Sequence, residues 1–269
     1  MRYPLLTIFV FLLAALHTTL AEPATQKPDA ASSSKGGVKR VLFIGNSYTM
    51  FNKLPTIFQE IVTGTGAATE VQQAAVGGMT LLTHLTRPET LNLVDAGRWD
   101  VVVLQGDSSG AAHPDISDNA DFIKGAVGLY DRIKTKSPKA VIVLLETWAY
   151  HADRWKGTNL DKKDVGNNPT EMQANIRKGY QHAATQRKGF LVAPAGDAWE
   201  LNYRSPVPVR LHREDNTHPL YHGSYLAALV IYATVYQPTD FNLSFGPSGE
   251  KAYLQNLASE AMKLQTRPE

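Results

Sequence analysis

Short runs of nearly pure Val, Ile and Leu punctuate this chain, and they restrict the fold more than any other feature. Val41–Ile44, Val101–Leu104 and Ala140–Leu145 show no alternation of apolar with polar residues. A strand of that kind has no face to offer water, so it belongs inside a parallel sheet covered on both sides. Val71–Val76 reads as a more polar strand and Phe190–Val192 as a short fifth one.

Between the runs the period changes to helical. Ile57, Phe58, Ile61 and Val62 share one face behind Pro55, a residue suited to a first helical turn. Leu81, Leu82 and Leu85 indicate a short helix, and Ile123, Val127, Tyr130 and Ile133 a longer one. Further helices are expected at 170–187 behind Pro169, at 220–236 opened by Pro219, and from Ser248, an N-cap residue, to Leu264. The expected fold is one doubly wound, flavodoxin-like α/β domain over residues 40–269. It has a five-stranded parallel sheet with helices on both faces.

Composition removes several classes of function. The chain has 269 residues, 43% hydrophobic and 19% charged, with net charge +2 and no Cys. It carries no basic run and no zinc-finger spacing, so nucleic acid is not an expected partner. Arg2 precedes an apolar stretch from Leu5 to Leu16, and Thr19-Leu20-Ala21 offers small residues for a signal peptidase. The stretch is shorter than the roughly 20 residues a membrane span needs. Residues 1–21 therefore read as a signal peptide, with a periplasmic or extracellular destination and no stable membrane anchor after cleavage. Residues 22–39, rich in Ala, Ser, Lys and Pro, read as a flexible leader. Without Cys there is neither a lipid-anchor motif nor a disulfide framework.

Open α/β sheets bind ligands beyond the carboxyl ends of their strands. Polar and glycine residues collect at those places. Gly45-Asn46-Ser47 follows the first strand, Gly77-Gly78 the second, and Gln105-Gly106-Asp107-Ser108 the third. Trp148, Tyr150 and His151 follow the fourth, and Asp215-Asn216-Thr217-His218 precedes the helix at 220–236. Gly45-Asn46-Ser47 alone can be a plain turn. Together these residues match the needs of acyl transfer. A serine hydroxyl needs a base in hydrogen-bond reach, imidazole has a suitable pKa, a carboxylate fixes its tautomer, and backbone N–H groups at glycines can hold an oxyanion.

In their order and strand context these blocks resemble the SGNH, GDSL-like hydrolase superfamily. The resemblance runs from Val41 to at least Tyr236. Gly45-Asn46-Ser47 matches the nucleophile block, with Asn46 in place of the commoner Asp. Gly77-Gly78 matches the glycine block, and Asp215-x-x-His218 the acid–base block. The form GNSYT resembles a bacterial subgroup within that superfamily. The resemblance implies that Ser47 is the nucleophile, His218 the base and Asp215 its carboxylate. The N–H groups of Ser47 and Gly78 would be two arms of the oxyanion hole. The third block departs from the family pattern. Asp107 stands where an Asn side chain usually donates, and an ionised carboxylate only accepts. Gln105 turning its amide inward, Ser108 donating, Asp107 held protonated, or a missing arm are the open alternatives.

The remaining candidates are weaker. His218 and His222 lie four apart, but no H-E-x-x-H is present and no metal is expected. Aromatics such as Trp148 and Tyr150 can wall a sugar site or simply pack their own loop. Asn46, Trp148 and Tyr150 are the candidate substrate contacts. Arg204, Arg210, His212 and Arg213 form a basic approach to the Asp215 turn. The resemblance, the export signal and the aromatic loop together imply a serine esterase for small acyl esters, with O-acetyl groups on carbohydrate expected as substrate. Neither metal nor organic cofactor is expected. The rival expectation is a carbohydrate-binding or scaffold protein with this fold and weakened chemistry, for which Asp107 is the best support.

Overall fold

The structure is a computed structural model that describes residues 39–157 and 160–265. The expected signal peptide and nearly all of the leader lie outside the described residues. Five parallel strands form one sheet in the order β2-β1-β3-β4-β5. They are β1 (Lys39–Gly45), β2 (Thr69–Ala75), β3 (Val101–Leu104), β4 (Val141–Leu145) and β5 (Phe190–Ala193). This is the expected doubly wound α/β fold. β1 begins at Lys39, so the domain takes in the last residue assigned to the leader.

Between β1 and β2 run α1 (Ser47–Met50) and α2 (Leu54–Thr63), and before β3 come α3 (Leu81–His84) and α4 (Pro88–Asp95). Next are α5 (Ser108–Ala111) and α6 (Ala120–Lys136), then, after β4, α7 (Lys162–Val165) and α8 (Pro169–Thr185). After β5 the chain continues through α9 (Ala195–Arg204), α10 (Tyr221–Tyr236) and α11 (Lys251–Gln265).

Successive strand side chains point to opposite faces, and the core divides accordingly. Val41, Phe43, Val101, Val103, Val143 and Leu145 pack with residues of α2, α9, α10 and α11. Leu42, Ile44, Val102, Leu104, Ile142 and Leu144 pack on the other side with α3, α4, α6 and α8. Burying each such side chain contributes about 1.5–3 kcal/mol. α10 is buried along almost its whole length from Gly223 to Thr234, which is why its sequence shows no polar stripe. The strand order reverses direction between β1 and β3, and the polar loops after these strands gather there. No described helix is long and apolar enough to cross a membrane.

Candidate active site

Ser47 stands at the first position of α1, directly after β1. Asn46 caps this helix, its Oδ1 accepting from Tyr48 N–H at 3.0 Å. The same oxygen accepts from Gln105 Nε2 at 2.9 Å, and Asn46 Nδ2 donates to Met79 O at 3.3 Å. Gln105 Oε1 in turn accepts from Asn46 N–H at 3.0 Å and from the Thr49 hydroxyl at 2.8 Å. Gly45 has to be glycine here. A Cβ would stand 2.6 Å from Gln105 Oε1 and closer still to Thr49 Oγ1. Behind this turn, His84 is fully buried, and burial lowers its pKa. Its Nε2 reaches Gly45 O at 2.9 Å and its Nδ1 the Thr90 hydroxyl at 2.7 Å. A neutral imidazole that donates to one and accepts from the other satisfies both contacts.

Ser47 Oγ lies 2.8 Å from His218 Nε2. His218 Nδ1 lies 3.0 Å from Asp215 Oδ2. With Nδ1–H donating to the carboxylate, Nε2 presents its lone pair to the serine hydroxyl. Asp215 closes a tight turn, its Oδ1 accepting from the N–H groups of Thr217 at 2.9 Å and His218 at 2.8 Å. Partial burial pushes the Asp215 pKa up, but those two amides and the His218 ring outweigh it and hold the group at about 2. Asn216 takes φ 63° in this turn, a left-handed position that Asn tolerates better than most residues. α10 begins only at Tyr221, so Asp215 closes this turn and does not cap the helix. The imidazole is held by ring contacts with Phe51 at 4.5 Å and Tyr48 at 5.5 Å.

A clamp that the sequence did not reveal joins the two halves. Asn52 and Lys53 both adopt left-handed backbone, φ 53° and 56°. This turns Asn52 Nδ2 onto Pro219 O at 3.0 Å and Ser224 Oγ at 2.9 Å. The segment that carries Ser47 is thereby tied to the segment that carries His218.

The glycine turn after β2 stands beside the serine. Gly45 pairs with Ala75, and Val76 N–H donates to Gly45 O at 3.2 Å. Gly78 takes φ 72°, where glycine alone is unstrained, and a Cβ there would meet open space. The three side chains considered for the third oxyanion arm are engaged elsewhere. Asp107 caps α5, accepting from Gly110 N–H at 2.7 Å and the Ser109 hydroxyl at 3.1 Å. The amide of Gln105 is spent on Asn46, Thr49 and Gly106, and the residue is 1% exposed. Ser108 donates to Trp148 O at 2.8 Å.

Two of the expected substrate contacts are also corrected. Asn46 is buried in the network just described. Trp148 is 1% exposed, stacked between Tyr48 at 4.8 Å and Trp199 at 4.0 Å, with Nε1 donating to Thr217 O at 3.1 Å. Its work is to carry the Asp215–His218 turn. Tyr150 remains half-exposed. Of the basic residues, His212 is buried, and burial lowers its pKa to about 3. Arg210 is spent on the carbonyls of His212 and Arg213. Among the described residues no group of three His, Asp or Glu side chains could hold a metal, and His222 pairs with Glu250 at 3.4 Å.

No protein-family model matches the chain, and no curated protein matches it. Solved structures do. A DUF4886 family protein from Bacteroides uniformis is 18% identical with a TM-score of 0.73, over 87% of this chain and 98% of that one. The acetyl xylan esterase AlAXEase is 18% identical with a TM-score of 0.53, over 73% and 99%. The lipase Lip_vut3 from a goat rumen metagenome is 12% identical with a TM-score of 0.53, over 74% and 98%. The chain thus shares its fold with these proteins.

Proposed function

We propose that this chain, built on the fold of the GDSL-like hydrolases, is an exported serine esterase that removes small acyl groups, chiefly O-acetyl, from carbohydrate. The observation that carries the reading is the unbroken line from Ser47 Oγ through His218 to Asp215, at 2.8 and 3.0 Å. The signal-like N-terminus supports export. The likeness to an acetyl xylan esterase supports an acetylated glycan as substrate.

The chemistry follows from the positions. Ser47 Oγ attacks the ester carbonyl carbon as its proton passes to His218 Nε2. The resulting oxyanion takes the N–H groups of Ser47 and Gly78, neither of which has a partner among the described residues. His218 then protonates the departing sugar alkoxide, leaving an acyl-Ser47 ester. Water, deprotonated by His218, attacks that ester, and collapse returns the proton to Ser47 and frees the carboxylic acid. Asp215 holds the imidazole in the required tautomer and stabilises its charged form.

Hydrolysis of an activated aryl acetate by the mature chain, measured beside Ser47→Ala, tests the reading. Turnover in the parent and its loss to background in the variant is the expected result. Equal rates in the two would leave the fold a binding scaffold, the rival reading.

A further inference from the structure

We propose that the cavity behind the loop after β4 is a subsite for one neutral pyranose ring of the glycan whose ester reaches Ser47. The proposal deepens the esterase reading and rests on it for the position of that ester. The cavity has a volume of about 270 Å³, and Tyr150, His151, Thr170, Glu200, Tyr203 and Arg204 are among its lining residues. That is just below the roughly 300–1,000 Å³ typical of small-molecule pockets, room for a single ring rather than an oligomer.

The lining fits a sugar in two respects. Tyr150 and Tyr203 supply apolar ring area, which suits the C–H faces of a pyranose, while the Tyr203 hydroxyl is held by His212 and Leu211. Glu200 and Arg204 supply an acceptor and a donor side by side. Glu200 accepts from Arg177 at 2.8 Å and from Arg204 Nη2 at 2.7 Å, and the other guanidinium N–H groups of Arg204 have no partner among the described residues. An anionic ligand would meet the Glu200 carboxylate, and a cationic one the two guanidinium groups. A neutral ring can donate one hydroxyl to Glu200 and accept on another from Arg204.

The cavity shares a loop with the Asp215–His218 turn. Its wall is the loop from Trp148 to His151, and the opposite side of that loop carries the catalytic turn. His151 N–H donates to Asn216 O at 2.9 Å and Trp148 Nε1 to Thr217 O at 3.1 Å. Two stacked ring contacts, 4.8 and 4.0 Å, lead from Tyr48, the neighbour of Ser47, through Trp148 to Trp199 at the cavity.

The test uses unacetylated xylotriose, followed by saturation-transfer NMR on the wild-type chain, on Arg204→Ala and on Thr170→Trp. Both changes are at exposed positions, and the second puts a bulky ring at a lining position of the cavity. Xylotriose should bind the wild type, and each variant should weaken it by about tenfold or more. Acetylated xylotriose should lose kcat/KM by a similar factor, while turnover of ethyl acetate, which carries no ring, stays unchanged. Absence of xylotriose binding, equal binding to all three chains, or preference for trigalacturonate would overturn the proposal. Cavity-dependent binding without hydrolysis of any ester would keep the ring site and overturn only the esterase reading.

Discussion

At the scale of single residues, Gln105 decides how the turn that carries Ser47 is held. An amide at the end of β3 invites assignment as a donor to the substrate. The geometry gives it a different task, since both ends of the amide fix the backbone and cap around Ser47. The two roles separate experimentally. Gln105→Leu leaves Asn46 N–H and the Thr49 hydroxyl buried without their acceptor, at about 1–3 kcal/mol each. Denaturant unfolding should therefore show a loss of about 2–6 kcal/mol, with kcat falling alongside it. A fall of roughly a hundredfold in kcat with unchanged stability is what loss of an oxyanion donor would give, and it would return Gln105 to the hole. Asp107 is simpler. As the cap of α5 it is aimed at Gly110 and Ser109, so Asp107→Asn, which keeps a capping oxygen, should leave both stability and kcat close to wild type. A large change in kcat for this variant would show that its charge reaches the reacting ester.

At the scale of elements, the strands declared themselves and the clamp between loops did not. Strands covered on both faces have no polar alternation, so β1, β3 and β4 stand out as uniform apolar runs. β2 is an edge strand, and its exposed Glu70, Gln72 and Gln73 gave it the polar character that set it apart. α9 escaped the sequence reading because Gly196, Asp197 and Asn202 are poor helix formers. They are buried there by contacts made far along the chain, such as Arg177 to Asp197 at 2.7 Å. The burial of Trp148 was hidden for the same reason, since the ring that covers it, Trp199, lies on that helix. The Ser47, Asp215 and His218 blocks were legible because each is local and sits at a strand end or tight turn. The clamp at Asn52 was not, because its left-handed backbone is imposed by partners on Pro219 and Ser224. Asn52→Ala removes two hydrogen bonds at about 1 kcal/mol each, and it adds about 1 kcal/mol of strain at positive φ. A loss of about 2–3 kcal/mol is expected, together with reduced kcat as the Ser47 and His218 segments drift apart. A variant with normal kcat would show that the Ser47–His218 contact survives without the clamp.

At the scale of the whole molecule, two buried titrating groups act on stability in opposite directions. His212 supports the Asp215–His218 turn from behind, reaching Ala149 O at 3.0 Å and the Tyr203 hydroxyl at 2.8 Å, with Trp199 and His151 against its ring. Burial holds its pKa at about 3, with Arg210 adding to that and Asp215 opposing it. Its ordinary value is 6.5. The unfolded chain therefore takes up a proton below that value that the folded chain refuses. The contribution of His212 is intact above 6.5 and is lost toward pH 3, at about 1.4 kcal/mol per pH unit. Glu146 runs the other way. Burial pushes its pKa well above the usual carboxylate range, the Asp197 carboxylate adding to this and Arg177 opposing it. The folded chain holds a proton that the unfolded chain releases, so this contribution is complete at low pH and is lost as pH rises through the folded value. From about pH 4.5 to 6.5 the two slopes oppose each other. His84 and His151, whose pKa values burial also lowers, act in the same direction as His212. The informative quantity is thus the difference between chains. Glu146→Gln keeps a donor for Asp197 and an acceptor for Gln173, whose Nε2 now reaches Glu146 at 2.9 Å. Its stability relative to wild type should rise with pH across that window, by up to about 1.4 kcal/mol per unit. His212→Asn should show the reverse trend relative to wild type. Denaturant unfolding of the three chains at pH 4.5, 5.5 and 6.5 measures both differences. Parallel curves for all three would mean that neither buried group changes its proton on folding.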